Sequence, residues 1–190
     1  MKAFHQRFQS KTFFTYRDAA LFLSQYGISH PYLKLFIHQL TQKGKIKRIG
    51  KGKYTFLDDA SVVGFGFEPF YYGLQHALTL HHLWNQATIP VIVTTRKVRT
   101  GTRMIIGQKT IIRRIRPSLF FGFEMIRESN HWLPVSTIEK TLIDMVHFRQ
   151  KIIPDLVEAF EKRIDEKKLH ELLKKTSLRT RKRIEKIRKK

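Results

Sequence analysis

The 190-residue chain contains no cysteine. Disulfides, thiolate zinc sites and thiol catalysis are thereby excluded, which fits a cytoplasmic setting. Long apolar runs are also missing. No window of about 18 apolar residues occurs, so no membrane span or membrane partner is expected. The opening MKAFHQRFQSKTFF lacks an apolar core followed by small residues and does not read as a secretory signal. Catalytic signatures are absent too: there is no G-x-x-x-x-G-K-[ST], no G-x-G-x-x-G, no H-E-x-x-H and no G-x-S-x-G. The carboxylates Asp58, Asp59, Glu68, Glu124, Glu128, Glu139 and Asp144 show no compact metal-ligand spacing. Glu139 and Asp144 do not share a helical face, and Glu139 reads as a helix cap. His76 and His81 are off a common face as well, so His76, His81 and His82 read as satisfied or solvated side chains. No catalytic residue, metal or cofactor is expected, and the chain reads as a non-enzyme.

Acids are the scarcest charged type. Fifteen Asp and Glu face 37 Lys and Arg, for a net charge of +22. Residues 1–57 hold 11 Lys/Arg against the single acid Asp18, and residues 174–190 hold 10 against the single acid Glu185. The middle of the chain is nearly balanced, with 16 Lys/Arg against 13 acids. Charge of this kind drives non-specific nucleic-acid affinity through phosphate neutralisation. Its competing use, attraction to a membrane surface, would need a basic amphipathic helix with exposed aromatics, and none is evident.

The most informative stretch is residues 15–57, TYRDAALFLSQYGISHPYLKLFIHQLTQKGKIKRIGKGKYTFL. Thr15 and Asp18 have capping-box spacing. Ala19, Ala20, Leu21, Leu23 and Tyr26 predict a mostly buried helix that Gly27 stops. Ser29 caps a second helix with Pro31 in its first turn. Leu33, Phe36, Ile37 and Leu40 form its apolar stripe. Ser29, His30, Tyr32, Lys34, His38, Gln39, Gln42 and Lys43 supply a polar face. Lys45, Lys47, Arg48, Lys51 and Lys53 then decorate a glycine-tipped hairpin. Helix, turn, helix and basic hairpin in this order predict a winged helix-turn-helix, with one helix in the major groove and the wing on the backbone. A small helical hairpin with a solvated basic face is the plainer alternative.

Beyond it, Val62-Val63-Gly64-Phe65-Gly66-Phe67 marks a bend near a domain junction at 58–68. Glu68-Pro69 is expected to open a helix running to about Trp84. Val91–Thr95 reads as a buried strand, and Met104–Ile112 as a hairpin around Gly107-Gln108. Arg96, Lys97, Arg99, Arg103, Arg113, Arg114 and Arg116 surround that hairpin without an intervening acid. They form either a second polyanion surface, open to RNA or flanking DNA, or a basic sheet edge that deters pairing. Residues 119–126 predict a strand, and Ser129-Asn130 a turn into Trp132–Val135. Ser136 and Glu139 have capping-box spacing for a helix burying Ile138, Leu142, Met145 and Val146. Pro154 and Asp165 start two more helices. The basic end, 176–190, reads as a solvated tail or a helix that forms on nucleic acid. The fold class is α+β: a winged helix-turn-helix over 1–60, a mixed α/β domain with a small sheet and C-terminal helices over 61–175, and the tail.

These parts resemble the AbiEi-type antitoxins, regulators of viral defence systems. The resemblance rests on KGKIKRIGKGKYTF, YYGLQHALTLHHL, IPVIVTT, LFFGFEMI and VSTIEKTLIDMV in this order, across roughly residues 12–148. The last segment, with Ser136, Glu139, Lys140, Thr141, Leu142 and Asp144, is the nearest match. The resemblance implies a type IV antitoxin that represses its own operon at inverted repeats in double-stranded DNA. It also implies a nucleotidyltransferase-type toxin as functional partner, without a stable complex. DNA contacts would fall on His30–Lys43 and Lys45–Lys53. The basic tail and the short chain depart from the family pattern and leave room for a stand-alone DNA- or RNA-binding regulator, or for a nuclease.

Overall fold

The computed structural model describes residues 2–128 and 130–189. It divides into two compact units, Met1–Glu68 with Met104–Gln108, and Pro69–Arg103 with Lys109–Lys190. The chain passes from one to the other at Glu68–Pro69, the far end of the expected junction.

The first unit runs α1 (Lys2–Phe8), β1 (Phe14–Thr15), α2 (Tyr16–Ser24), α3 (His30–Gln42), β2 (Lys47–Gly50) and β3 (Lys53–Thr55), then a 3₁₀ turn over Ala60–Phe67. The capping box of α2 forms as its spacing predicts. Thr15 Oγ1 accepts from the Asp18 amide at 3.0 Å, and Asp18 Oδ2 accepts from the Thr15 amide at 2.8 Å. Gly27, with φ 69°, ends the helix. Ser29 occupies the N-cap of α3, but its hydroxyl makes no capping bond. Leu33, Ile37 and Leu40 are buried against Phe4, Phe8 and Phe14, while Phe36 is half-buried. Leu21 and Tyr26 depart from expectation and are exposed; only Ala19 and Leu23 of α2 are fully covered. A helix of barely two and a half turns covers one narrow side, and these i,i+4 residues occupy it.

The three strands pair in the order β1-β3-β2, all antiparallel. A register shift between Arg48 and Gly50 replaces simple alternation, so Ile46 and Ile49 are both buried. The cause lies at Gly50, which meets Gly66 of the 3₁₀ turn backbone to backbone. A Cβ on Gly50 would come within 2.7 Å of the Gly66 carbonyl oxygen, and a Cβ on Gly66 would collide with the Ile49 carbonyl. The stretch read as a bend is therefore a buttress beneath the hairpin.

The second unit contains β4 (Phe70–Tyr72), α4 (Leu74–Leu80), β5 (Val91–Thr94), all of β6 (Gly101–Ile105) and β7 (Gln108–Arg114) but their joined tip, β8 (Phe123–Glu128), β9 (His131–Ser136), α5 (Ile138–His147), α6 (Pro154–Glu161), α7 (Glu166–Lys174) and α8 (Leu178–Arg188). Its six-stranded mixed sheet has the order β6-β7-β5-β4-β9-β8, with β5/β7 and β4/β9 parallel. The helix expected from Pro69 to Trp84 is corrected: Phe70, Tyr71 and Tyr72 form a strand, and only Leu74–Leu80 is helical. All three aromatics are buried. A central strand covered on both faces is apolar at every position, which mimics a helix buried all round. The strand at 119–126 begins later, at Phe123, and the turn expected at Ser129-Asn130 includes Ser129, which lies outside the described residues.

Helix α5 packs against α4, α7 and α8. Its cap is Thr137, whose hydroxyl accepts from the Lys140 amide at 3.3 Å, not Ser136. Ser136 Oγ instead lies 2.7 Å from Thr141 Oγ1. Glu139 is no cap of its own helix; its buried carboxylate accepts from the Asp165 amide at 3.1 Å and lies 3.5 Å from Lys168 Nζ. Asp165 does cap α7. The basic end is a folded helix, α8, because Ile184 is buried in the core and Arg188 pairs with Glu161 and Glu166. No described helix is long and apolar enough to cross a membrane.

His76 and His81 are structural in their surroundings, and His82 is exposed. His81 Nε2 donates to the Ser136 carbonyl at 2.7 Å. His76 packs edge-on to Tyr72, with ring centroids 4.9 Å apart, and burial pushes its pKa down to about 4. Among the described residues no group of three His, Asp or Glu is placed to hold a metal ion.

Two outcomes are expected. Gly66→Ala should lower the thermal midpoint, read by circular dichroism, more than Thr15→Ala, which removes a cap worth about 1 kcal/mol. An equal or smaller effect would disprove the backbone contact. For His76, the unfolded side chain takes its proton near 6.5 and the folded one only near 4. The unfolded state thus binds more protons between those values, and stability falls as pH falls through that window, by up to about 1.4 kcal/mol per pH unit. Both tryptophans, Trp84 and Trp132, lie in the second unit. Urea unfolding followed by their fluorescence should show this slope, and His76→Gln should flatten it.

Candidate nucleic-acid interface

Burial of Leu33, Ile37 and Leu40 fixes which side of α3 faces out. At about 3.6 residues per turn, Leu35, His38 and Gln42 lie opposite that stripe, with Lys34 and Gln39 on its flanks. Ser29, His30, Tyr32, Lys34, His38, Gln39, Gln42 and Lys43 are all exposed. Tyr32 and Leu35 are about half uncovered, at 55% and 51%. Leu35 was not singled out by sequence, because a leucine beside a stripe reads as core; its angular position shows otherwise. His30 leans edge-on against Tyr16 with centroids 5.4 Å apart, which steadies the start of the helix.

The basic hairpin is present, and Gly52 turns it with φ 67°. Its five cations divide into two kinds. Lys45, Arg48 and Lys51 are exposed and have no carboxylate partner among the described residues. Arg48 Nε donates to the Gly50 carbonyl at 3.1 Å, which holds the side chain along the strand. Lys47 and Lys53 are engaged within the unit. Lys47 pairs with Asp58. Lys53 Nζ donates to the Phe65 carbonyl at 2.9 Å, pairs with Glu68 and lies 5.0 Å from the Phe13 ring centroid. Its side chain is only 17% exposed. Charge patterning along a strand cannot distinguish these kinds, since the partners lie in the 3₁₀ turn and its flanks.

The second basic run does not form a single stripe. Arg113 is half-buried on β7 and its Nε has no partner, whereas Arg114 on the next pleat is exposed. Arg103 donates to the Arg99 carbonyl. Arg99 is exposed, and Arg96 is tied by its amide to Thr94 Oγ1 at 3.0 Å. Lys97, Arg114 and Arg116 instead converge on a cavity of about 820 Å³ within the second unit. Lys140, Asp144, His147 and Lys175, none of them given a site role by sequence, complete its charged lining.

At its floor lies a buried polar network. Lys140 pairs with Asp144, whose Oδ2 accepts from the Tyr71 hydroxyl at 2.7 Å. Both charged side chains are fully covered. Burial pulls the Lys140 pKa down and pushes that of Asp144 up, in each case against the partner's opposite effect. Tyr71 is raised well above its usual range by burial first and by Asp144 second. His147 is lowered, foremost by burial, with Lys140 and Arg116 adding to it against Asp144. The i,i+4 spacing of Lys140 and Asp144 was a readable signal; that they sit on the covered face was not.

The first unit thus presents an exposed polar helix, a short sheet and a hairpin bearing unpaired cations. No curated protein matches the chain. Residues 6–56, which span this assembly from α1 to just past β3, match the family described as transcriptional regulator, AbiEi antitoxin.

Proposed function

We propose that the chain is a DNA-binding transcriptional regulator of the AbiEi type, with α3 in the major groove and the hairpin on the backbone. The observation that carries this reading is the pairing of an uncovered polar helix with a wing whose Lys45, Arg48 and Lys51 have no carboxylate partner among the described residues. Lys34 suits guanine, Gln39 suits adenine, and Leu35 offers an apolar contact to a thymine methyl. Lys45, Arg48 and Lys51 hold phosphates. Lys47 and Lys53, engaged with Asp58 and Glu68, brace the wing. Inverted repeats in the chain's own operator are the expected target, and a nucleotidyltransferase-type toxin, countered without a stable complex, is the functional partner. The cytoplasm is the matching location. The role is regulatory and not enzymatic.

RNA bound on the exposed face of the 96–116 run together with the basic helix α8 is a second reading, favoured by the exposure of Lys97, Arg99, Lys109 and Arg114. Competition of folded RNA against operator duplex separates the two.

Binding to duplex DNA should weaken with salt. Arg48→Ala with Lys51→Ala should lower affinity for all sequences and reduce the slope of log K against log salt by about 0.9 per lost phosphate contact. An unchanged slope would remove the wing from the interface. Gln39→Ala should cost about 1–3 kcal/mol on the operator and little on random duplex. Equal losses on both, measured by fluorescence anisotropy, would take α3 out of the groove.

A further inference from the structure

The cavity of the second unit has no part in the DNA-binding reading, and its composition is lopsided. Lys97, Arg114 with Arg116, and Lys175 reach it from three segments, and none has a carboxylate partner among the described residues. Its one carboxylate, Asp144, is already bound by Lys140 and Tyr71. Like charges brought together in a concave, low-dielectric setting repel, and the same geometry focuses their field on an incoming anion.

The neutral groups around them are donors. Ser177 and Thr180, at the start of the 11-residue helix α8, bring hydroxyls to the rim. The preceding turn is held by Arg181, whose guanidinium donates to the Lys174 carbonyl at 2.8 Å and the Thr176 carbonyl at 3.0 Å. Two backbone acceptors at the end of α7 are thereby occupied by a cation. Lys140 and Lys175 flank the Phe121 ring, with ammonium groups 5.0 and 5.3 Å from its centroid. The opposite character is also present: Pro117 and Leu119 give part of the wall an apolar surface, backed by the buried Ile115 and Ile143.

A volume of about 820 Å³ falls in the range of sites for small organic ligands. A duplex or a folded RNA needs a groove or an open face; a concavity of this size takes one compact molecule. Cations and apolar side chains in one lining fit a molecule with a polyanionic part and a flat apolar part. We propose that this cavity binds a nucleotide carrying two or three phosphates, with Lys97, Arg114, Arg116 and Lys175 on the phosphates and Pro117 and Leu119 against the base.

The site is independent of the wing, and its test is built to show that. Titration calorimetry of the full chain at about 0.1 M salt should give one ATP bound per chain, with adenosine and inorganic tripolyphosphate each at least tenfold weaker. Arg114→Ala with Arg116→Ala removes two exposed side chains, so the fold should persist, checked by tryptophan fluorescence and circular dichroism. That variant should lose at least tenfold in ATP affinity, while Arg48→Ala with Lys51→Ala should change it less than twofold. Equal loss in both variants would mean that ATP follows net charge alone, and the proposal falls. Tripolyphosphate binding as tightly as ATP would overturn the base subsite. Heat on adding a short single-stranded RNA, with none for ATP, would overturn the nucleotide in favour of a nucleic-acid strand.

Discussion

Fifteen carboxylates share this chain with 37 lysines and arginines, so the placement of each acid decides where positive charge is neutralised and where it stays open. Many of the acids have a local task. Asp18 and Asp165 cap helices. Glu139 ties α5 to the start of α7, Asp144 neutralises a buried lysine, and Glu161 and Glu166 fasten α8 through Arg188. Asp58 and Glu68 each hold one lysine of the wing. Several of these pairs are largely exposed and contribute little to stability one by one. Their larger consequence is negative: they leave other cations among the described residues without a carboxylate.

Two groups of such cations differ in the shape of their surroundings. In the first unit the open cations sit on a protruding hairpin beside an uncovered helix. That geometry suits a long polyanion whose phosphates repeat along a backbone. In the second unit they converge on a concavity whose floor is a closed Lys140–Asp144–Tyr71 network. A buried pair of that kind is weak support for stability, since desolvation offsets its attraction. It does hold Lys140 in one place, below the Phe121 ring and at the edge of the cavity.

The wing shows how a backbone contact can govern surface chemistry. Gly50 and Gly66 touch without side chains between them, which lets the 3₁₀ turn lie under the hairpin. With the turn there, the Phe65 carbonyl and Glu68 come within reach of Lys53. The same contact coincides with the register shift that buries both Ile46 and Ile49 and leaves Arg48 outward. A small steric allowance thus sorts the wing lysines into braces and open charges.

Local signals were sufficient for much of the first unit. Thr15 with Asp18, Gly27, Pro31 and the Leu33–Ile37–Leu40 stripe each act within a few residues; both helices begin and end, and α3 faces, as those residues dictate. The same holds for Asp165 as a cap and for the turn at Gly107. Tertiary structure decided the rest. Phe70–Tyr72 is a strand because neighbours cover both of its faces, and α8 is ordered because Ile184 and Arg188 find partners far away in sequence. Lys53 is occupied and Lys51 open for the same reason: whether a charge is neutralised depends on what the fold brings beside it, and periodicity records only which way a side chain points.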